Sequence, residues 1–309
     1  MRSEATARRC FQHDEVLDRL DAMHNQEILR YSCMSQSPPE PGGEMDEATR
    51  KALSPECREK ICEWSYRVVD HFGMDREVVL TAWNLIDRFL LGQPHCNTKI
   101  FKLLSMTALY VSSKLYYGQV LNLSHLVQLS RSEFSERHIE HMELVMLRGL
   151  KWFVHPPTTK AVLREVLLLV DPMVSNSAWI QICEYTNFLS ELSVYDKEVS
   201  TASTASIAFA CLAASLDWID DSEIGSERQE LLAFVADCLK IEAVESCSDI
   251  ERRLLGVYSN TEECMLSVAE SESYEDEASK TKRQRLQGER SPVHVAELVS
   301  SIQMRNHPM

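Results

Sequence analysis

The chain has 309 residues, 44% hydrophobic and 26% charged, which is enough apolar material to bury a real core. Only nine glycines are present, with neither G-x-G-x-x-G nor G-x-x-x-x-G-K-[ST] among them, which argues against a dinucleotide or phosphate cradle. A formal net charge of −15 argues against bulk attraction to nucleic acid or to an anionic membrane.

The opening MRSEATARRCFQHDEV holds no apolar signal-peptide segment. No run reaches the roughly 18 apolar residues of a spanning helix. The expectation is a soluble intracellular protein with no membrane partner. Ten cysteines contain no C-x-x-C pair, and several fall inside apolar helical runs, where a reduced thiol behaves as a small hydrophobe. His138 and His141 lie three apart on a helical stretch, but no third ligand follows at a recognisable spacing, so no metal or cofactor is expected.

A short amphipathic stretch, Val16, Leu17, Leu20, Met23, Ile28 and Leu29, marks residues 11–32. SQSPPEPGGEMDE (35–47) reads as a linker. From Ser54 to about Tyr258 the chain reads as helix after helix. Ser54-Pro55-Glu56 starts the first, which stops near Gly73. Asp75 is placed as the cap of the next, whose stripe is Val79, Ala82, Trp83, Ile86, Phe89 and Leu90. The third, about 97–115, is apolar or small nearly all round and predicts burial on every side. A short helix near 123–129 precedes an amphipathic one over 133–153, stopped by Pro156-Pro157.

The plan then restarts. Thr158 caps a helix ending near Val170, and 175–194 forms a long amphipathic helix. STASTASIAFACLAASL (200–216) is again apolar or small on all faces, and helices over about 226–239 and 242–257 follow. The two central helices start about a hundred residues apart, which predicts an all-α fold of two tandem five-helix domains. The boundaries are 1–47 for a flexible N-terminal segment, 48–155 and 156–258 for the repeats, and 259–309 for a tail expected to be disordered. Residues 261–277, with seven acids and no base, are expected to be disordered. KTKRQRLQ (280–287) is a basic island, and 288–309 carry only a short amphipathic hint.

CREKICEW (57–64), NLIDRFL (84–90), ALYVSSKL (108–115), MELVMLRGLKW (142–152) and PPT (156–158) together resemble the cyclin box of the cyclin family. FLSELSVYD (188–196) and the small-residue helix after it are similar to that family's C-terminal repeat. Within the family, MELVMLRGLKW leans toward the D-type or an algal-like subgroup, although L-x-C-x-E is absent.

The resemblance implies a non-catalytic regulatory subunit of a cyclin-dependent kinase in cell-cycle control. It implies a kinase partner, with kinase substrates or inhibitors as further partners, and a nuclear or cytoplasmic location. Lys114 and Glu143 match the family's Lys and Glu, which hydrogen-bond backbone near the kinase's C-helix. Leu147, Trp152 and Val154 match apolar kinase contacts, although periodicity alone favours core for each. Arg58 and Asp87 match a pair that bridges the first two helices inside the domain. Cys57, Ile61 and Trp64 match a substrate-docking patch, degenerate here because Cys57 replaces its Met while Lys60 and Arg67 bring cations that repel an Arg-x-Leu motif. Tyr116-Tyr117 stand where family members commonly carry acids. The alternative of the same fold is a TFIIB-like double-repeat transcription factor, disfavoured by the −15 charge.

Overall fold

No glycine or proline interrupts the chain before Pro38, and helix propagates freely through such a stretch. The computed structural model, which describes residues 2–31, 47–92, 96–118, 120–220, 223–224 and 228–273, opens with α1, Arg2–Gln26, closed by a π-helical turn, Glu27–Tyr31. The short helix expected over 11–32 is thus a long one. Its Val16 and Leu20 are buried in the core of the second repeat, not the first. The linker at 35–46 lies outside the described residues.

The first repeat comprises α2 (Glu47–Ala52), α3 (Pro55–His71), α4 (Glu77–Leu91), α5 (Thr98–Tyr117), α6 (Leu123–Leu129) and α7 (Glu136–Gly149). The second comprises α8 (Thr159–Val170), α9 (Asn176–Leu192), α10 (Lys197–Ser200), α11 (Thr204–Leu216), α12 (Arg228–Cys238) and α13 (Val244–Ser273). The short α2 and α10 aside, each repeat is five helices. Among the described residues there is no strand, only an isolated antiparallel bridge between Val174 and Ile224.

Side chains fix most helix starts. Ser54, Asn97, Asn122, Thr158, Ser175 and Ser203 each accept a first-turn backbone N–H. At α4 the cap position is Arg76, one residue later than expected, and Asp75 instead accepts from the Glu77 N–H at 2.8 Å. His138 closes a capping box by accepting from the Ser135 N–H.

The two central helices differ. All of α11 from Ile207 to Leu216 is buried. In α5 the middle is sealed, but Ile100, Leu115 and Tyr117 emerge at 38–40% exposure. Burial on every side therefore holds for α11 and fails at the ends of α5. Twenty residues of helix span about 30 Å, and the lysines at 99, 102 and 114 draw those ends to solvent.

α7 stops short of the prolines. Lys151 and Trp152 adopt φ of 52° and 65°, and the Trp152 N–H reaches back to the Leu147 carbonyl. This ends the helix four residues before Phe153 and turns the chain into the extended segment that leads to α8. Gly149, near the end of α7, has a packing reason: a Cβ there would stand 2.9 Å from the Phe89 ring.

α13 runs to Ser273, so 259–273, expected to be disordered, are helical. No glycine or proline occurs between Gly256 and Gly288 to stop it, and Glu, Met, Leu and Ala sustain it. The remaining tail, basic island included, lies outside the described residues.

Candidate partner-binding face

Lys114 sits in the last turn of α5, where a cation offsets the helix dipole. Glu143 rises from the middle of α7, between buried Ile139 and Met146 on the stripe that faces the core. Packing of α5 against α7 brings the two together, and the Lys114 ammonium donates to Glu143 Oε1. The ammonium also lies 4.2 Å from the centroid of the Tyr110 ring.

The carboxylate that sequence placed on an apolar stripe is therefore paired, and its side chain keeps 18% exposure against 34% for Lys114. An ammonium has three donors and a carboxylate several acceptor sites. Held at a half-wet rim, both groups keep capacity for a partner's backbone. Sequence neighbours add apolar surface, with Leu115, Leu144 and Val145 each 38–39% exposed.

The other residues assigned to this face divide. Leu147 and Val154 are half-buried and pack on the first core. Trp152 is 65% exposed, placed outward by its positive φ. Tyr116 and Tyr117, standing where family members commonly carry acids, are used internally. The Tyr116 hydroxyl bonds to Thr81 at 2.9 Å, and the Tyr117 hydroxyl accepts from the Asp75 N–H at 2.8 Å.

Arg58 and Asp87 form a buried bidentate pair, with N–O distances of 2.8 and 2.9 Å. The pair is not confined to the first two helices. Arg58 Nε donates to the Val194 carbonyl at 2.5 Å, and Nη2 reaches the Ser200 hydroxyl at 2.7 Å. Ser200 in turn donates to Asp87. The guanidinium also stacks 4.1 Å from the Trp83 ring. Burial disfavours its charge, but the Asp87 carboxylate outweighs that and holds its pKa above the ordinary arginine value. The pair expected to brace one domain thus clamps both repeats together.

That clamp changes the α3 patch. Arg58 points inward, Ile61 is 9% exposed, and Cys57 and Trp64 are half-buried against the core. Lys60 and Arg67 are exposed, and Arg67 pairs with Glu63 at 3.4 Å. Burial pushes the Cys57 thiol up, more than neighbouring Lys102 and Lys60 pull it down.

Two organising carboxylates were not singled out from sequence. Glu77, 6% exposed, accepts from the Thr158 hydroxyl at 2.5 Å and pairs with Arg164 at 2.6 Å, tying α4 to the start of α8. Glu27, 9% exposed, accepts from the Thr204 N–H at 2.8 Å and its hydroxyl at 2.6 Å, so the π-helical turn after α1 caps the central helix of the second repeat. The available signal was the same in both cases: an acid among apolar helical positions.

Two cored helical repeats are thus locked by a buried clamp, with a charged pair at a rim that carries exposed apolar side chains. Residues 22–155 match the family model described as "Cyclin, N-terminal domain". That match, over fewer than half of the residues, places this stretch with the cyclin family, and it begins inside α1, well before residue 48. The chain is 31% identical over 105 residues to Cyclin-D3-3 of Arabidopsis thaliana, covering 33% of this chain and 29% of that protein. It is 25% identical over 182 residues to G2/mitotic-specific cyclin-B1 of Oryzias luzonensis, covering 59% of this chain and 44% of that protein. The matches thus span less than half of these relatives' length and cross subgroups. Among solved structures, the fold resembles a viral cyclin from herpesvirus saimiri, with a TM-score of 0.59 and 15% identity over 78% of this chain and 96% of that one.

Proposed function

We propose that this chain is a non-catalytic regulatory subunit that binds and activates a cyclin-dependent Ser/Thr kinase in cell-cycle control. The observation that carries the reading is the Lys114–Glu143 pair, held between α5 and α7, with Leu144 and Val145 exposed next to Glu143 in the chain. On binding, the two groups exchange their mutual contact for backbone at the ends of the kinase's mobile C-helix. Capture selects the inward state of that helix and completes the kinase's own Lys–Glu ion pair. ATP, magnesium and the catalytic groups belong to the kinase.

The test is affinity for a kinase catalytic subunit recovered from native lysate, identified by mass spectrometry and assayed for phosphate transfer. Lys114→Ala and Glu143→Ala are each expected to weaken binding by about 2–5 kcal/mol, roughly 30- to several-thousand-fold. Helical content stays unchanged. Normal kinase binding by both variants, or recovery of duplex DNA in place of a kinase, overturns the reading. Nuclear residence is proposed from the basic island at 280–287. Alanine at Lys282, Arg283 and Arg285 is expected to move a fluorescent fusion to the cytoplasm.

A further inference from the structure

Residues 151–155 carry exposed Trp152 and half-buried Val154 between the end of α7 and the prolines ahead of α8. Lys151 and Trp152 stand at φ of 52° and 65°, and two consecutive non-glycine residues in the left-handed region persist only where neighbours hold them. α7 holds the start of this loop, its Arg148 and Leu147 carbonyls accepting from the Lys151 and Trp152 N–H groups. An exposed Trp152 contributes little to its own placement, so the rest of the anchorage falls to Phe153.

Phe153 is gripped from outside the helix that delivers it. Its carbonyl accepts from Arg88, in the last turn of α4, at 2.9 Å. Its ring packs edge to face with Tyr31, the centroids 6.1 Å apart, and the Arg30 guanidinium lies 5.2 Å from its centre. Tyr31, 7% exposed, has the Arg88 guanidinium 4.8 Å from its own ring centre, so Arg88, Tyr31 and Phe153 close a cluster of three. The Gln26 side-chain amide reaches the His155 carbonyl at 3.5 Å.

The segment that grips this loop is itself placed by the other repeat. Val16 and Leu20 of α1 are buried in the second core, Arg19 pairs with Glu165 at 2.8 Å, and Asp21 pairs with Lys240 at 2.6 Å. Glu27 then caps α11, and Tyr31 ends the same π-helical turn. One turn thus seats one buried side chain in each repeat, and π-helical turns are frequent at functional positions.

We propose that Tyr31 is a positioning residue: seated against Arg88 and Phe153, it latches the 151–155 loop and so holds Trp152 in the orientation that a kinase partner meets. The inference rests on the kinase-regulator reading for the identity of that partner. Through α1 and this turn, the second repeat sets the apolar part of a binding face built on the first.

Hydrogen exchange of the free full chain, read by mass spectrometry, and kinase affinity test this together. Tyr31→Leu keeps a buried apolar side chain and removes the ring, so circular dichroism should still report a folded helical protein. It should speed exchange of the 151–155 amides about tenfold while amides of α5 and α7 keep wild-type rates, and Tyr31→Phe should keep the wild-type protection. Affinity for the kinase catalytic subunit recovered from lysate should fall about three- to tenfold in Tyr31→Leu, and by no more than about twofold when the change is made in a Trp152→Ala chain, since the latch acts through Trp152. Unchanged exchange at 151–155 overturns the proposal. So does faster exchange throughout both repeats, which would make Tyr31 a core residue and nothing more. Equal losses of affinity with and without Trp152 overturn it as well, because Tyr31 would then act on the partner by another route. Exchange is read without a partner, so the latch stands or falls on it even where no kinase binds.

Discussion

Replacing Arg58 by alanine removes every donor that Asp87 and the Val194 carbonyl receive from the guanidinium, in a site where the two side chains are 8% and 3% exposed. Asp87 keeps only the Ser200 hydroxyl. Truncating one member of a buried, hydrogen-bonded pair costs about 3–5 kcal/mol, because the remaining charge stays desolvated. For a chain of this size each kcal/mol shifts the midpoint by about 2–4 °C, so the melting temperature should fall by about 6–20 °C. The geometry adds a second expectation. Val194 and Ser200 belong to the second repeat, so the variant should also uncouple the repeats, and calorimetry should resolve two transitions where the wild type shows one. The double variant Arg58→Met, Asp87→Leu, with no charge left to bury, should recover most of the loss. A single-variant melting temperature within about 2 °C of wild type, or a destabilised transition that remains single, would refute the clamp.

Other consequences are open to direct measurement. Burial pushes the Glu27 carboxyl above its ordinary range, while the Thr204 hydroxyl and amide and the His24 charge pull it partly back. A raised folded pKa means stability is full below the ordinary glutamate value and declines as pH rises through the folded one. Urea melts from pH 4 to 7 should show this slope, at most about 1.4 kcal/mol per pH unit, and Glu27→Gln should lack it. Gly149→Ala should destabilise by about 1–3 kcal/mol despite alanine's higher helix propensity, because its Cβ meets the Phe89 ring; a raised melting temperature would contradict that contact. Thr158→Ala removes both the α8 cap and the bond to buried Glu77, and should cost about 2–3 kcal/mol in chemical denaturation, with Thr158→Ser restoring most of it.

The helices themselves were legible one turn at a time. Ser54-Pro55 and Thr158 announce their starts because a capping side chain needs only the backbone two or three residues ahead, whereas the small-residue run read from Ser200 begins as a helix only at Thr204, capped by Ser203. The all-round small-residue run of α11 announced burial because no face of it could meet water. The motifs around Lys114, Glu143 and Arg58 were legible through family resemblance. Partners far apart in sequence were not legible. Arg58 finds Val194 136 residues away, and Glu27 finds Thr204 177 residues away. Local periodicity says that a charge lies on a buried stripe and needs an opposite group, but only the packing of whole helices decides which group arrives. The same packing decided that Trp152 faces out while Leu147 packs inward, that the ends of α5 emerge, and that α1 belongs to the second core.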